Sequence, residues 1–557
     1  MASPDIFVRD FVSAGESSED LLPALQRAAA RLHTQGGGRL VFPPGIHHLR
    51  PETAEEIPLS ISNNEPGFKF IGLKLHGLRD VTIIGDGTML LIHDRLVPLW
   101  AVDCAGLRVQ GLTIDWPQPF YAQAEVLSAC PGEINIRLDQ TLPWYVMGGR
   151  LMFCGEGWLS PLEHAFEMDT ALRRPALGSH DNCGGGWYLQ WHAAAVGRDC
   201  LRLRGDFPHA PKVGNALVLR PGEQRDAPAV VLNRCTNVSL LNLTIHHAGG
   251  MGVIAQRSTD LHLKNVQVIP SGDRIFSTTV DATHFVACAG DLIVEDCRFE
   301  CQLDDPTNVH GIYTKIVRVV STHTARVRLV HPQQRGFEFA GPGDLLTLSR
   351  LANLTDYWQG RVVAVRPLNR QWLDLSFDVP LPADVQAGDG VDNLSWHPKL
   401  RISRCWMSGN RARGPLLGSR KSTLIEDNTF ITPGAALHSG PECDFWCESG
   451  PVSDLTIRRN QFVDCAHEAD WIGAVINLTP FLKDQNPPPL SLIHRVLIED
   501  NVFKDPNGPC VRIRHAEDIT IRRNTVVRTQ PASAAAVPPW DIELCSGQIS
   551  ITDNHLP

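Results

Sequence analysis

Thr236-Asn-Val-Ser-Leu-Leu-Asn-Leu-Thr-Ile245 is answered 23 residues later by Thr259-Asp-Leu-His-Leu-Lys-Asn-Val-Gln-Val268. Each stretch is a short alternating strand, then an Asn, then a second short apolar strand. The unit returns as Gly290-Asp-Leu-Ile-Val-Glu-Asp-Cys-Arg-Phe299, with Asp in place of Asn and a Cys after it. It is anticipated by Leu78–Ile84 and Ala105–Ile114, and echoed from Leu400, Thr423, Leu455, Val496, Ile519 and Ile549. Alternation turns every second side chain inward. Strands that recur at about 20 to 30 residues with no helix between them predict a parallel β-solenoid, in which each coil buries its apolar edge on the next. The consensus of a leucine-rich repeat is absent. Cys235, Cys297 and Cys405 fall at repeat positions, where a small apolar side chain stacks inside the coil, and they read as buried free thiols. None of the 15 cysteines forms a C-x-x-C pair, although Cys443 and Cys447 are close enough in sequence for a disulfide.

Working outward, residues 19–34 predict one amphipathic helix with Leu21, Leu22, Leu25, Ala28, Ala29 and Leu32 on its apolar face and Ser17 or Ser18 as N-cap. Gly36-Gly-Gly38 ends it, a strand over Arg39–Phe42 follows, and Pro43-Pro-Gly45 turns the chain. A solenoid needs its first coil covered, and this helix, glycine run, strand and turn resemble the cap of right-handed parallel β-helix proteins of the pectate-lyase-like group. Two stretches break the period with alternating strands and turn residues, and both read as small antiparallel β-barrels inserted in coil loops. The expected division is 1–120 for the cap and first coils, 121–227 for barrel one and 228–311 for the central coils. Barrel two then spans 312–396 and the last coils 397–557.

Hydrophobic content of 43% and charged content of 20% describe a folded globular chain. A net charge of −10 with no Lys/Arg stripe argues against nucleic acid as a partner. No apolar run is long enough to span a bilayer. No dinucleotide fingerprint, P-loop or nucleophile elbow occurs, and His47-His48 and His246-His247 lack ligands at metal-type spacing, so no cofactor or metal is expected. Met-Ala-Ser-Pro-Asp has neither a basic nor an apolar leader region, which predicts a cytoplasmic protein; export with a leader removed is the alternative. The barrels leave room for a homodimer.

Asp281-Ala-Thr-His284 and Gln302-Leu-Asp-Asp-Pro-Thr-Asn-Val-His-Gly311 carry Asp281, Asp304, Asp305, His284, Asn308 and His310. Asp281 and Asp304 are one short repeat apart, so neighbouring coils bring their carboxyl groups to the roughly 5 to 10 Å that glycosidic cleavage uses. Crowded acids keep one member protonated, and an amide and imidazoles serve sugar hydroxyls. Within a strand over Ser277–Phe285, Asp281 and Thr283 are expected on one face and His284 on the other, with Arg274 and Lys315 framing the cluster. Acids from successive coils are expected to straddle the sugar at about 6.5 to 9.5 Å, the inverting arrangement. Trp446 and Trp471, on long loops, either stack on a sugar ring or cap the core.

These residues resemble glycoside hydrolase family 110, the inverting α-1,3-galactosidases that remove terminal α-galactose, including that of blood-group B-type glycans. The matching stretches are Ile61-Ser-Asn-Asn64, Asp281–Phe285, Asp304–Gly311 and Gln334-Arg-Gly-Phe-Glu-Phe339. The β-helix with two barrels is similar too, and the likeness runs from about residue 36 to the last repeat. It implies a galactose-terminated glycan as substrate, Asp304 as general acid, and Asp281 and Asp305 positioning and deprotonating the water. Arg274, His284, Asn308, His310, Arg335, Trp446 and Trp471 are the candidate substrate-binding residues. Two other readings stay open: a polygalacturonase-like hydrolase or polysaccharide lyase on the same fold, or a non-catalytic glycan-binding solenoid. A lyase calls for a basic residue and Ca²⁺ beside an acidic polymer, and a binding solenoid for aromatic platforms without an acid trio.

Overall fold

The computed structural model describes residues 4–15, 20–183, 191–207, 209–222, 225–468, 471–484, 487–488, 490–529 and 538–557. The repeats form one ladder. Leu107, Val238, Leu261, Leu292, Leu400, Thr423, Leu455, Val496, Ile519 and Ile549 are successive parallel partners along a single sheet. A second, largely parallel sheet runs alongside, with Val253–Gln256, Thr283–Val286 and Thr307–Ile312 as consecutive rungs. Between the sheets the inward residues stack like on like, as in Phe430, Phe462 and Phe503, whose ring centroids are 5.2 and 5.0 Å apart. The chain is a parallel β-helix.

Two residues between the strands of each unit explain how the coil turns its corner, and Asn242 and Asn265 are the first of the two, at φ 53° and 52°. Asp427, Arg459, Asp500, Arg523 and Asp553 all take left-handed backbone angles, which cost a non-glycine residue about 1 kcal/mol or more. The Asn that follows each one offsets that cost. Asn428, Asn460, Asn501, Asn524 and Asn554 form a ladder in which each amide nitrogen donates to the next coil's Oδ1 at 2.9 to 3.0 Å. Cys297 and Cys405 occupy the equivalent corner, whereas Cys235 sits at the corner before the first strand of its repeat, its N–H on Ser258 Oγ at 3.0 Å; all three are buried free thiols, and Cys443 and Cys447 are also unbridged.

The cap helix spans Leu22–Gln35 with its expected apolar face buried, and closes on Gly36 at φ 76°. It starts later than the sequence suggests, because Pro23 favours the first turn and Asp20 Oδ1 accepts from the Leu22 N–H at 3.1 Å. Ser17 and Ser18 lie outside the described residues.

Both insertions are small antiparallel barrels. The first contains strands from Ala122–Cys130 to Ala216–Pro221, and its terminal strand His192–Ala195 comes round to the turn that follows the other terminal strand, Trp144–Met147, where the Ala193 N–H donates to Gly149 O at 2.7 Å. The second closes fully through six strands, from Thr314–Ser321 to Gly390–Asn393. Barrel two is locked to the β-helix by a buried ion pair. Asp392 receives Arg420 Nε at 2.6 Å and the Ser449 hydroxyl at 2.6 Å, with His397 Nε2 at 3.3 Å. Burial would raise this carboxyl, but His397 and Arg420 outweigh it and hold Asp392 well below the usual carboxylate range. Removing one partner strands a buried charge, so Arg420→Met is expected to cost about 3 to 5 kcal/mol in denaturant unfolding. Because the folded pKa lies below the unfolded one, this stability is present above about pH 4 and is lost as the pH falls below it. The acid-side fall in Tm should therefore be shallower in Arg420→Met than in the parent.

Candidate active site

The strand expected over Ser277–Phe285 begins only at Thr283. Asp281 lies in the bend before it, where the coil turns a corner and strict alternation does not hold. Its carboxylate therefore meets His284 instead of facing away, with Asp281 Oδ2 and His284 Nδ1 2.5 Å apart. Coil register is 24 residues here, since Thr283 pairs with Thr307. Asp305, not Asp304, thus stacks on Asp281, and the Asp305 N–H donates to Asp281 Oδ1 at 3.2 Å. Asp304, one residue upstream, is turned outward. Its side chain is 15% exposed, against 4% for Asp281 and 2% for Asp305. Oxygens of all three lie within 4.8 Å of one another, which corrects the expected wide gap: the acids share one wall and do not straddle a sugar.

The trio forms the floor of a cleft of about 600 Å³. Arginines from distant segments balance it. Arg413, on the coil after barrel two, places Nη2 3.0 Å from Asp305 Oδ2 and its backbone N–H 3.0 Å from Oδ1. Arg225, on the return from barrel one, places Nη2 3.5 Å from Asp304 Oδ2, and Arg411 lies 3.9 Å from Oδ1. Burial alone would raise Asp304, yet Arg411, Arg225, Arg413 and Arg220 together hold it below its ordinary value. Asp281 goes the other way, raised well above its ordinary value by burial and then by the Asp304 charge. Asp305 is also raised by burial, against the pull of Arg413. Three carboxyls this close titrate as a group, in which burial favours the neutral form at Asp281 and Asp305 and the arginines favour the ionised form at Asp304.

Barrel one supplies one wall through His164, Phe166, Asp181 and Asn182. Trp471 closes that side, its Nε1 donating to Asp181 Oδ1 at 3.2 Å. Across the cleft are Trp446 and Glu448. Barrel two contributes no lining residue, but it braces this loop: His331 packs on the Trp446 ring at 4.1 Å and Gln334 Nε2 donates to Trp446 O at 2.6 Å. Glu448 pairs through its backbone with Ile312, receives Asn63 Nδ2 at 3.2 Å and lies 3.5 Å from His310 Nε2. Burial would raise Glu448, but His310, His284 and Arg413 outweigh it and lower it.

Of the sequence-derived candidates, Asp281, Asp304, Asp305, His284, Asn308, Trp446 and Trp471 line this cleft, and His310 stands directly behind His284. Three expectations are corrected. Arg274 is bound to Asp115 Oδ1 at 2.6 Å and to the Trp116 carbonyl, clamping the strand that leads into barrel one. Lys315 is buried in the first strand of barrel two. Arg335 is exposed beside the turn Pro332–Gln334 and lines no part of the cleft. Sequence reasoning missed Glu448, Arg225, Arg411 and Arg413; Asn63 lay in a stretch it had quoted but was given no role.

Crowded carboxylates under indole walls on the flank of a β-helix have the make-up of a sugar-processing site. Residues 122–217 match GLAA-B beta-barrel domain I and residues 324–391 match GLAA-B beta-barrel domain II. The chain is 33% identical over 551 residues to alpha-1,3-galactosidase A of Shewanella woodyi, covering 97% of this chain and 89% of that one. It is 28% identical to alpha-1,3-galactosidase A of Bacteroides fragilis, covering 96% and 89%. Against alpha-1,3-galactosidase B of Akkermansia muciniphila it is 29% identical, covering 97% of this chain and 68% of that one. The chain belongs to the α-1,3-galactosidase family, glycoside hydrolase family 110.

Proposed function

We propose that the protein is an exo-acting glycosidase that removes terminal α-1,3-linked galactose from glycans by an inverting acid/base mechanism. The observation that carries this is the acid trio at the floor of a walled cleft, with Asp304 the most exposed of the three to the space a sugar would fill. Asp304 is assigned as the proton donor to the leaving oxygen. Asp281 and Asp305, deeper and held by partners on both sides, position and deprotonate the water. Asn308, Trp446 and Trp471 line the galactose position, the indoles offering an apolar face to the ring. The walls from barrel one and from the Trp446 loop favour a chain end over a continuous polymer.

A polygalacturonase or lyase reading is less well supported. An acidic polymer needs cations available to it, whereas Arg225, Arg411 and Arg413 are engaged by Asp304, Asp181 and Asp305. Incubation with an α-1,3-galactosyl disaccharide and with oligogalacturonate separates the readings: release of galactose from the first and no cleavage of the second is expected. The reverse result would overturn the proposal.

The same arginines bear on metal dependence. A divalent ion among the three aspartates would face the guanidinium groups of Arg225 and Arg413, which already pair with Asp304 and Asp305. Activity is expected to survive exhaustive chelation unchanged; loss of turnover restored by added Ca²⁺ would count against this site and for the lyase.

A further inference from the structure

We propose that a chain formed by Asp281, His284 and His310, anchored on the Gly311 carbonyl, stores on Asp281 the proton that Asp304 delivers to the leaving group. His284 and His310 are then positioning residues and do not serve to bind sugar. This rests on the glycosidase reading above and deepens it.

The polarity of the chain follows from proton counting. A carbonyl oxygen only accepts, so His310 Nδ1, 2.7 Å from Gly311 O, carries a hydrogen. In neutral His310 the other nitrogen, Nε2, is then a lone pair. It lies 3.0 Å from His284 Nε2, which must therefore be the donor. That leaves neutral His284 with a lone pair on Nδ1, and 2.5 Å away is Asp281 Oδ2. Two bare acceptors cannot share such a contact, so one further proton belongs to the Asp281–His284 pair.

Burial decides which partner holds it. Burial lowers His284 to about 4 and also lowers His310, so both rings are neutral. The groups facing the chain pull both ways. Asp304 and Glu448 favour a neutral Asp281, Arg225 and the Asp305 N–H oppose them, and burial is the largest influence of all. His310 faces Glu448, which raises it, and His397, which lowers it; burial exceeds both. The stored proton is on the Asp281 carboxyl, donated to His284.

This arrangement closes a catalytic cycle. In the free cleft Asp281 is protonated and Asp304 is ionised. With a galactoside bound, the transfers are concerted: Asp281 passes its proton to Asp304 only as a proton of the attacking water takes its place, so the contact between Asp281 and His284 is never left without a hydrogen. As the glycosidic bond breaks, Asp304 gives its proton to the departing oxygen. Water bonds to the anomeric carbon and loses a proton to Asp281. Charge and atoms balance, and the resting pair of protonated Asp281 and ionised Asp304 is restored without a proton from bulk solvent.

Neutron crystallography of the deuterium-exchanged wild-type protein tests the chain independently of activity. Deuterons are expected on His310 Nδ1, on His284 Nε2 and in the contact between Asp281 Oδ2 and His284 Nδ1. A deuteron on His310 Nε2, or an empty Asp281–His284 contact, overturns the proposal. In solution, His284→Leu removes the acceptor that stabilises neutral Asp281, so the alkaline limb of kcat/KM should move down by about one pH unit. His284→Asn, whose amide oxygen can accept the same hydrogen, should bring the limb back toward wild type. An unmoved limb in His284→Leu also overturns it, and if that variant does not fold the neutron result decides. Failure of the wild type to cleave any α-galactoside would sink the glycosidase reading while leaving the neutron answer intact.

Discussion

Asp304→Asn is expected to retain the fold and to lose about 10²- to 10⁴-fold in kcat on an unactivated α-1,3-galactosyl disaccharide. Asp304 makes few structural contacts through its carboxyl: Arg225 and Arg411 approach only to 3.5 and 3.9 Å. An amide of the same shape disturbs little there, and Tm should stay close to the parent value. What is lost is the proton for the leaving oxygen. That loss has a signature, because a nitrophenolate needs no proton to depart. On p-nitrophenyl α-galactoside the variant should recover a large part of the deficit. Near-wild-type turnover of the disaccharide would remove Asp304 from the role, and an equal loss on both substrates would place it with the water.

Much of this architecture is legible in the chain because a solenoid is locally encoded. Each coil repeats the same alternating strand and the same corner residue, so Asn428 or Phe462 announces its place without knowledge of distant segments. The acids were legible for the same reason, lying on adjacent coils. Their orientation was not. The corner at Asp281 resets the alternation, and the 24-residue local register pairs it with Asp305. The partners of the acids were illegible because they come from distant segments: the Arg413 counter-charge is 108 residues from Asp305, and the Asn63 amide is 385 from Glu448. Arg274 misled for the opposite reason. It is near the acids in sequence, but its side chain belongs to Asp115, 159 residues away.

Asp281→Asn and Asp305→Asn are expected to lose activity on a similar scale, about 10²- to 10⁴-fold, but with no rescue by an activated leaving group. That contrast with Asp304→Asn separates base from acid. The stereochemistry is the sharper test, because the acids are closer together than the spacing of about 6.5 to 9.5 Å usual for inversion. Their closeness is nonetheless compatible with it. Retention requires a carboxylate free to bond the anomeric carbon, yet Asp305 is held by the side chain and backbone of Arg413, and Asp281 by His284 and the Asp305 N–H. In-line attack holds the incoming water about 3 to 3.5 Å from the reacting carbon, and the leaving oxygen lies one bond length beyond it. Water and leaving oxygen are then spaced much as the carboxylate oxygens are, within 4.8 Å. One wall of acids can serve both from the side, with Asp304 at the leaving oxygen and the inner pair at the water. Proton NMR in the first minutes of hydrolysis, before mutarotation, should therefore show β-galactose. An α-anomer as first product would make Asp281 or Asp305 a nucleophile and would overturn both the inverting mechanism and the proton cycle built on it.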